Sequence, residues 1–167
     1  ADAIEKRQRV AVFGDYDVDG ISGTALLFRG LRRYGIQNCL YGIPNRLIEG
    51  YGLSPDRVDW AAAQGVSLLI TVDNGVAAVD AIARAKERDI DVIVTDHHLI
   101  ERGLPDAYAV INPKREADDH PAANLCGSGV AFKLVQALTG EIHDLDLAAL
   151  ATVADVVPLT GENRVIV

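Results

Sequence analysis

Three aspartates, Asp15, Asp17 and Asp19, occupy alternate positions directly after the apolar run Val10-Ala-Val-Phe13. If that segment stays extended, all three side chains point the same way. Like charges so close repel, at a cost in stability, unless a cation sits among them. An Asx turn followed by a helix N-cap accounts for one such aspartate, or two, without any ligand. Three of them at a strand's carboxyl end point instead to a metal. The same positions imitate the D-x-D-x-D-G opening of a calcium-binding EF-hand loop. That loop needs a Glu at its twelfth position to embrace the ion; here the position is Leu26, and a strand precedes instead of a helix. No Gly-Lys-Ser/Thr follows for a Walker A loop, and the dinucleotide fingerprint G-x-G-x-x-G is absent. Gly20 and Gly23 let the backbone turn tightly into the next helix, whose amino end can face an anion.

Three further places carry comparable groups. Asp73 follows Ile70-Thr-Val72 and opens Asp-Asn-Gly, which by itself is a common turn. At a strand end its carboxylate could bridge two ions. Asp96-His97-His98 follows Asp91-Val-Ile-Val-Thr95. Adjacent histidines on an extended chain face opposite ways, so one can ligate a metal through a neutral nitrogen while the other contacts a phosphate or moves a proton. Asp155 ends the apolar run Leu147–Ala154. A carboxylate is unfavourable at a helix carboxyl end, and a bound cation would offset that; a solvated turn before Pro158 is the equal alternative. Oxygen donors with a single imidazole suit Mg²⁺ or Mn²⁺ better than zinc. Several aspartates with one shared member suit two such ions, which would clamp a phosphoryl oxygen and lower the pKa of a water. Ser22 and Ser128 have no placed general base, so no serine-nucleophile arrangement competes.

The elements that must position these groups alternate between strand and helix. Short apolar runs predict strands over Val10–Phe13, Cys39–Ile43, Ser67–Val72, Asp91–Thr95 and Tyr108–Ile111. Apolar stripes, a Ser54-Pro55 start, and Gly35 and Gly65 stops predict helices over 22–34 and 54–64, with others over 77–88, 129–138 and 145–154. That alternation implies an α/β fold with a mostly parallel sheet and helices on both faces. Ligands of such sheets sit beyond the carboxyl ends of the strands, where Asp15–Asp19, Asp73 and Asp96–His98 all emerge.

Composition bounds the function. The 167 residues suit one domain, and with 49% apolar and 24% charged residues the chain is ordinary globular material. No apolar run approaches a membrane span, no signal peptide opens the chain, and two cysteines are too few for a disulfide framework or zinc cluster. A reducing cytoplasm is the simplest home. The net charge of −8 argues at first against nucleic acid. However, Asp15, Asp17, Asp19, Asp73, Asp96 and Asp155 all belong to the proposed site, and two divalent ions would halve the deficit. With no Met anywhere, the chain is expected to be a piece of a longer protein.

Together these residues resemble the DHH phosphoesterase superfamily. Asp15-Tyr-Asp-Val-Asp-Gly20, Thr71-Val-Asp-Asn-Gly75, Asp96-His-His98 and Ala151-Thr-Val-Ala-Asp-Val-Val-Pro158 are similar to its four motifs, in order. Pro44-Asn-Arg-Leu-Ile-Glu-Gly-Tyr-Gly-Leu53 and Leu125-Cys-Gly-Ser-Gly-Val-Ala-Phe132 are similar to the bacterial branch of single-strand-specific exonucleases. The resemblance implies a DHH phosphoesterase domain over 1–167, and two Mn²⁺ or Mg²⁺ ions held by Asp17, Asp19, Asp73, His97 and Asp155, with Asp73 as the bridge. It places His98 near the scissile phosphate and gives Asp15 and Asp96 the task of orienting the ligands. Related phosphatases carry a His four residues before the first ligand, where this chain has Phe13; the departure favours the exonuclease branch and a less tightly held ion. Arg46, Lys114, Arg115 and Lys133 are possible phosphate contacts, each equally a solvated surface charge, and Ser128 is a further possible substrate contact.

The implied activity is metal-dependent hydrolysis of single-stranded DNA from the 5′ end, releasing 5′-mononucleotides, in DNA repair and recombination. The rivals are an oligoribonuclease or nucleotide phosphatase of the same superfamily, and a replication-complex binding module without catalysis. The implied partners are single-stranded DNA and the remaining domains of a longer parent chain, namely a second core domain and an oligonucleotide-binding fold; no membrane is implied.

Overall fold

The computed structural model describes residues 2–101, 103–115 and 120–167. Five strands, β1 (Val10–Gly14), β2 (Cys39–Gly42), β3 (Leu68–Val72), β4 (Asp91–Thr95) and β5 (Ala109–Ile111), form one all-parallel sheet in the order β2-β1-β3-β4-β5. The helices are α1 (Asp2–Glu5), α2 (Val18–Tyr34), α3 (Pro55–Ala63), α4 (Val79–Glu87), α5 (Gly127–Thr139), α6 (Leu145–Ala154) and α7 (Gly161–Ile166), with a 3₁₀ turn at Pro113–Arg115.

Alternation along the strands divides the core into two layers. Ala11, Phe13, Leu69, Val92 and Val94 face Val58 and Ala61 of α3 and Ile82 and Ala85 of α4. Val10, Val12, Ile70 and Val72 face Leu26, Leu27 and Leu31 of α2, Ala131, Phe132 and Val135 of α5, and Ala148 of α6. Both faces of the sheet are covered, which is why its strands read as continuous apolar runs. The α/β architecture expected from the sequence is the one observed. Among the described residues, no helix is long and apolar enough to cross a membrane.

The chain leaves β1 through α2 on one face and leaves β3 through α4 on the other. The neighbouring carboxyl ends of β1 and β3 therefore open into a crevice, the usual binding place of such sheets. Asn74 fixes its floor: the buried side-chain amide donates to Phe13 O at 3.1 Å and to Val72 O at 2.8 Å, tying the two strand ends together.

Two helices begin earlier than their apolar stripes indicate. α2 begins at Val18 because the Asp17 side chain accepts the Gly20 amide at 2.9 Å as an N-cap. The acidic run is thus not extended, and its three side chains do not all point one way. α5 begins at Gly127 because Asp19 accepts its first two amides. The helices α1 and α7, of four and six residues, were not expected from the sequence; neither is long enough to show a repeating stripe.

Candidate metal centre

Four strand or helix ends deliver the candidate ligands. Asp17 and Asp19 come from the start of α2, Asp73 from the end of β3, His97 and His98 from the end of β4, and Asp155 from the C-cap of α6. His97 is the centre of the arrangement. Its Nε2 lies 3.1 Å from Asp73 Oδ1, and 3.8 Å from both Asp19 Oδ2 and Asp155 Oδ2. Two sets of donor atoms, Asp73–His97–His98 and Asp19–His97–Asp155, each converge within 4.8 Å.

Asp73 is the most constrained of these. It is 3% exposed and adopts a left-handed backbone, φ 61°. Its amide donates to Thr95 O at 3.0 Å, which joins the ends of β3 and β4. Gly75 makes the turn possible: its φ is 114°, and a Cβ there would come within 2.6 Å of Thr71 Oγ1. Asp73 Oδ1 is buried without a hydrogen-bond partner, despite its approach to His97. Burial, joined by the negative charges of Asp19 and Asp17, pushes the Asp73 carboxyl up to about 10, against the opposing pull of His98. Gly127 packs directly on this residue, and a Cβ at that position would lie 2.5 Å from Asp73 Cβ. Burial also raises the Asp155 carboxyl, opposed by His97 and reinforced by Asp19 and Asp17.

A divalent cation fits these residues. Three carboxylates converge with an imidazole, two of the carboxyls are driven toward neutrality without a cation, and one carboxylate oxygen is orphaned in the interior. The oxygen-rich donor set is of the kind that suits Mn²⁺ or Mg²⁺.

Asp96 orients the histidines. It is 1% exposed; its Oδ1 accepts the His97 amide at 2.8 Å, the His98 amide at 3.2 Å and His98 Nδ1 at 2.7 Å, while Oδ2 accepts the Val76 amide at 2.9 Å. Burial works to raise its carboxyl, but the bonds from His98 and Val76 prevail and hold it below the usual range. The same hydrogen bond raises the His98 imidazole above its ordinary value, against partial burial. In the ion-free chain the His98 ring is therefore expected to titrate above an ordinary histidine by NMR, and Asp96→Asn to bring it back down. The stability this pair contributes is lost as pH rises through the raised His98 value and again as pH falls through the depressed Asp96 value.

The remaining expected residues are distributed unevenly. Asp17 belongs to neither convergent set, although its charge acts on Asp73 and Asp155. Asp15 Oδ1 accepts its neighbour Tyr16's amide at 2.7 Å; among the described residues it makes no hydrogen bond to a candidate ligand. Phe13 is buried under the Arg57 guanidinium and beside Gly42, in the core layer of α3 and α4. Arg46 lies on the loop after β2 with its guanidinium 4.8 Å over the Tyr16 ring. Lys114 Nζ donates to Ala123 O, Arg115 donates to Val110 O, and Lys133 pairs with Glu162. Ser128 is fully buried, with its amide and hydroxyl both committed to Asp19, so it does not face a substrate. The roles of Asn74 and Gly127 were not anticipated, although both lie inside quoted motifs; an Asn after a strand-end Asp was the available signal.

Comparison with known proteins agrees with this geometry. Residues 9–157 match the DHH family, N-terminal domain. The chain is 45% identical over 181 residues to the single-stranded-DNA-specific exonuclease RecJ of Salmonella typhimurium (strain LT2), covering 98% of this chain and 31% of that protein. It is 45% identical over 166 residues to the protein of the same name from Bacillus subtilis (strain 168), covering 98% of this chain and 21% of that one. A crystal structure of exonuclease RecJ bound to manganese matches with a TM-score of 0.90 and 38% identity, over 99% of this chain and 43% of that one. The chain thus spans less than a third of the length of these curated relatives.

Proposed function

Since this chain belongs to the DHH family, we propose that it is the metal-binding catalytic part of an exonuclease that degrades single-stranded DNA from the 5′ end, in cytoplasmic DNA repair and recombination. The relatives named for that activity support the substrate. The observation that carries the chemistry is the orphaned Asp73 carboxylate beside His97 at the crevice between β1 and β3.

In this reading Asp17, Asp19, Asp73, His97 and Asp155 hold two Mn²⁺ or Mg²⁺ ions, with Asp73 shared. When bound, such ions would polarise a phosphoryl oxygen and lower the pKa of a water, whose hydroxide form is the nucleophile for phosphorus. The residues of the chain set the geometry for that step. Asp73, held by its turn and by Thr95, keeps a buried oxygen without a hydrogen bond beside His97 Nε2. Asp96 fixes His98 through Nδ1 and keeps the ring protonated further up the pH scale. His98 Nε2 is thereby left to donate to a phosphate oxygen. Arg46, on the loop at the same sheet edge, offers a guanidinium to the backbone of the bound strand.

The test uses the full-length protein with DNA labelled at either end. Mn²⁺-dependent release of mononucleotides is expected from the 5′ end of long single strands, with duplex DNA and dinucleotides poor substrates. Preference for dinucleotides would transfer the chain to the oligoribonuclease reading, and absence of ion-dependent cleavage would support a binding module.

A further inference from the structure

Asp19 and Asp155 both approach the same nitrogen of His97, each at 3.8 Å, although they lie far apart in sequence. One stretch of backbone, residues 124–128, touches the surroundings of both. At one end, Gly127 N donates to Asp19 Oδ2 and Ser128 N to Asp19 Oδ1, both at 2.7 Å, and Ser128 Oγ donates to Asp19 O at 2.7 Å. Asp19 is 2% exposed and Ser128 0%. Each carboxylate oxygen takes one amide and retains a lone pair for a further partner.

At the other end the same stretch is fastened to the part of the chain that carries Asp155. Cys126 Sγ lies 3.7 Å from Thr152 Oγ1, in the last turn of α6 before Asp155. Asn163 of α7, itself 1% exposed, donates from Nδ2 to Asn124 O at 2.7 Å and to Pro158 O at 3.0 Å. Its single amide group bridges the approach to α5 and the loop that follows Asp155. Asp73 and His98 take their hydrogen bonds elsewhere, through Thr95 and Asp96, although Gly127 of the same stretch packs against Asp73.

We propose that residues 124–128 form a frame that sets the spacing between Asp19 and Asp155 and so tunes one ion position, with Ser128 and Asn163 as positioning residues. Neither side chain touches an ion or the substrate. Their effect runs through a ligand's orientation, as hydrogen-bonded supports of metal ligands do elsewhere. The inference rests on the two-ion reading above and adds to it which residues act chiefly on one of the two ions.

The experiment is a Mn²⁺ titration of this chain, followed by the electron paramagnetic resonance of free Mn²⁺, for the wild type, Ser128→Ala and Asn163→Ala. The wild type takes up two equivalents. Each variant is expected to weaken one equivalent by roughly 10–100-fold while the other stays within about threefold. A purely structural role would move both equivalents together with the thermal midpoint, and that result overturns the proposal. So do two unchanged affinities in both variants. Asn163→Ala decides the matter if Ser128→Ala does not fold, since its side chain contacts no candidate ligand. A wild type that takes up fewer than two equivalents overturns the two-ion reading itself, whereas two wild-type equivalents with unresponsive variants overturn only the frame.

Discussion

Asp73→Asn raises the thermal midpoint of the ion-free chain and removes its stabilisation by Mn²⁺. The wild-type carboxyl is buried, has an oxygen without a hydrogen bond, and sits among the charges of Asp19 and Asp17. Folding without an ion must therefore hold a proton on Asp73 to about pH 10, whereas the unfolded chain releases it near the ordinary carboxyl value. In the interval between those values the folded state binds more protons than the unfolded one, so this residue's contribution falls as pH rises. Asn carries no such charge and tolerates the left-handed backbone at this position well. Relief of the buried carboxyl's charging cost by roughly 2 kcal/mol near neutral pH corresponds to about 4–8 °C in a chain of this size. The gain should be small near pH 5 and widen toward pH 9. Saturating Mn²⁺, at about 100 times its dissociation constant, adds about 2.7 kcal/mol to the wild type and little to the variant. Differential scanning calorimetry with and without Mn²⁺ reads both effects, and the proposed exonuclease activity is expected to be lost in the full-length variant.

Asp19→Ala has the opposite consequence for the ion-free fold. This carboxylate is as buried as Asp73, but both of its oxygens are used, by the amides of Gly127 and Ser128. Removing it leaves two buried N–H groups unpaired at the start of α5, at about 1–3 kcal/mol each. α5 also packs on α2 through Val135, so a frayed amino end loosens the second core layer. A fall of about 5–15 °C in the midpoint is expected before any ion is added. Mn²⁺ then recovers little of the loss, because one ligand is gone. Two aspartates proposed as ligands would thus separate cleanly: one destabilises the empty fold and one supports it. Equal shifts of the same sign in the two variants would contradict this division.

The sequence was most informative where local pattern and position coincide. Ser54-Pro55 marks the start of α3, Gly35 the end of α2, and the continuous apolar strands announce a sheet covered on both faces. Because that sheet is parallel, Asp73 and Asp96–His98 had to emerge at one edge with the acidic loop. What the sequence hid was the division of labour within Asp15-Tyr-Asp-Val-Asp19. Alternate spacing is the same whether the segment is extended or coils into a helix, and only the Asp17–Gly20 cap decides it. Asp19's partners lie 108 and 109 residues downstream, a relationship no local pattern contains. Ser128 was misplaced for the same reason: its motif marks it as functional, but packing against Asp19 turns it inward. Asp73's orphaned oxygen is likewise a property of the assembled site, since Asp-Asn-Gly alone describes an ordinary turn.

Diffraction at the manganese absorption edge, from crystals of this chain grown with Mn²⁺, reads whether the carboxylates and imidazole at the ends of β1, β3, β4 and α6 bind divalent ions. Anomalous density is expected within the space bounded by Asp19, Asp73, His97 and Asp155, with its loss on the Asp73 side in crystals of Asp73→Asn. Crystals that bind Mn²⁺ only at other surface carboxylates, with this crevice filled by water alone, would contradict that expectation.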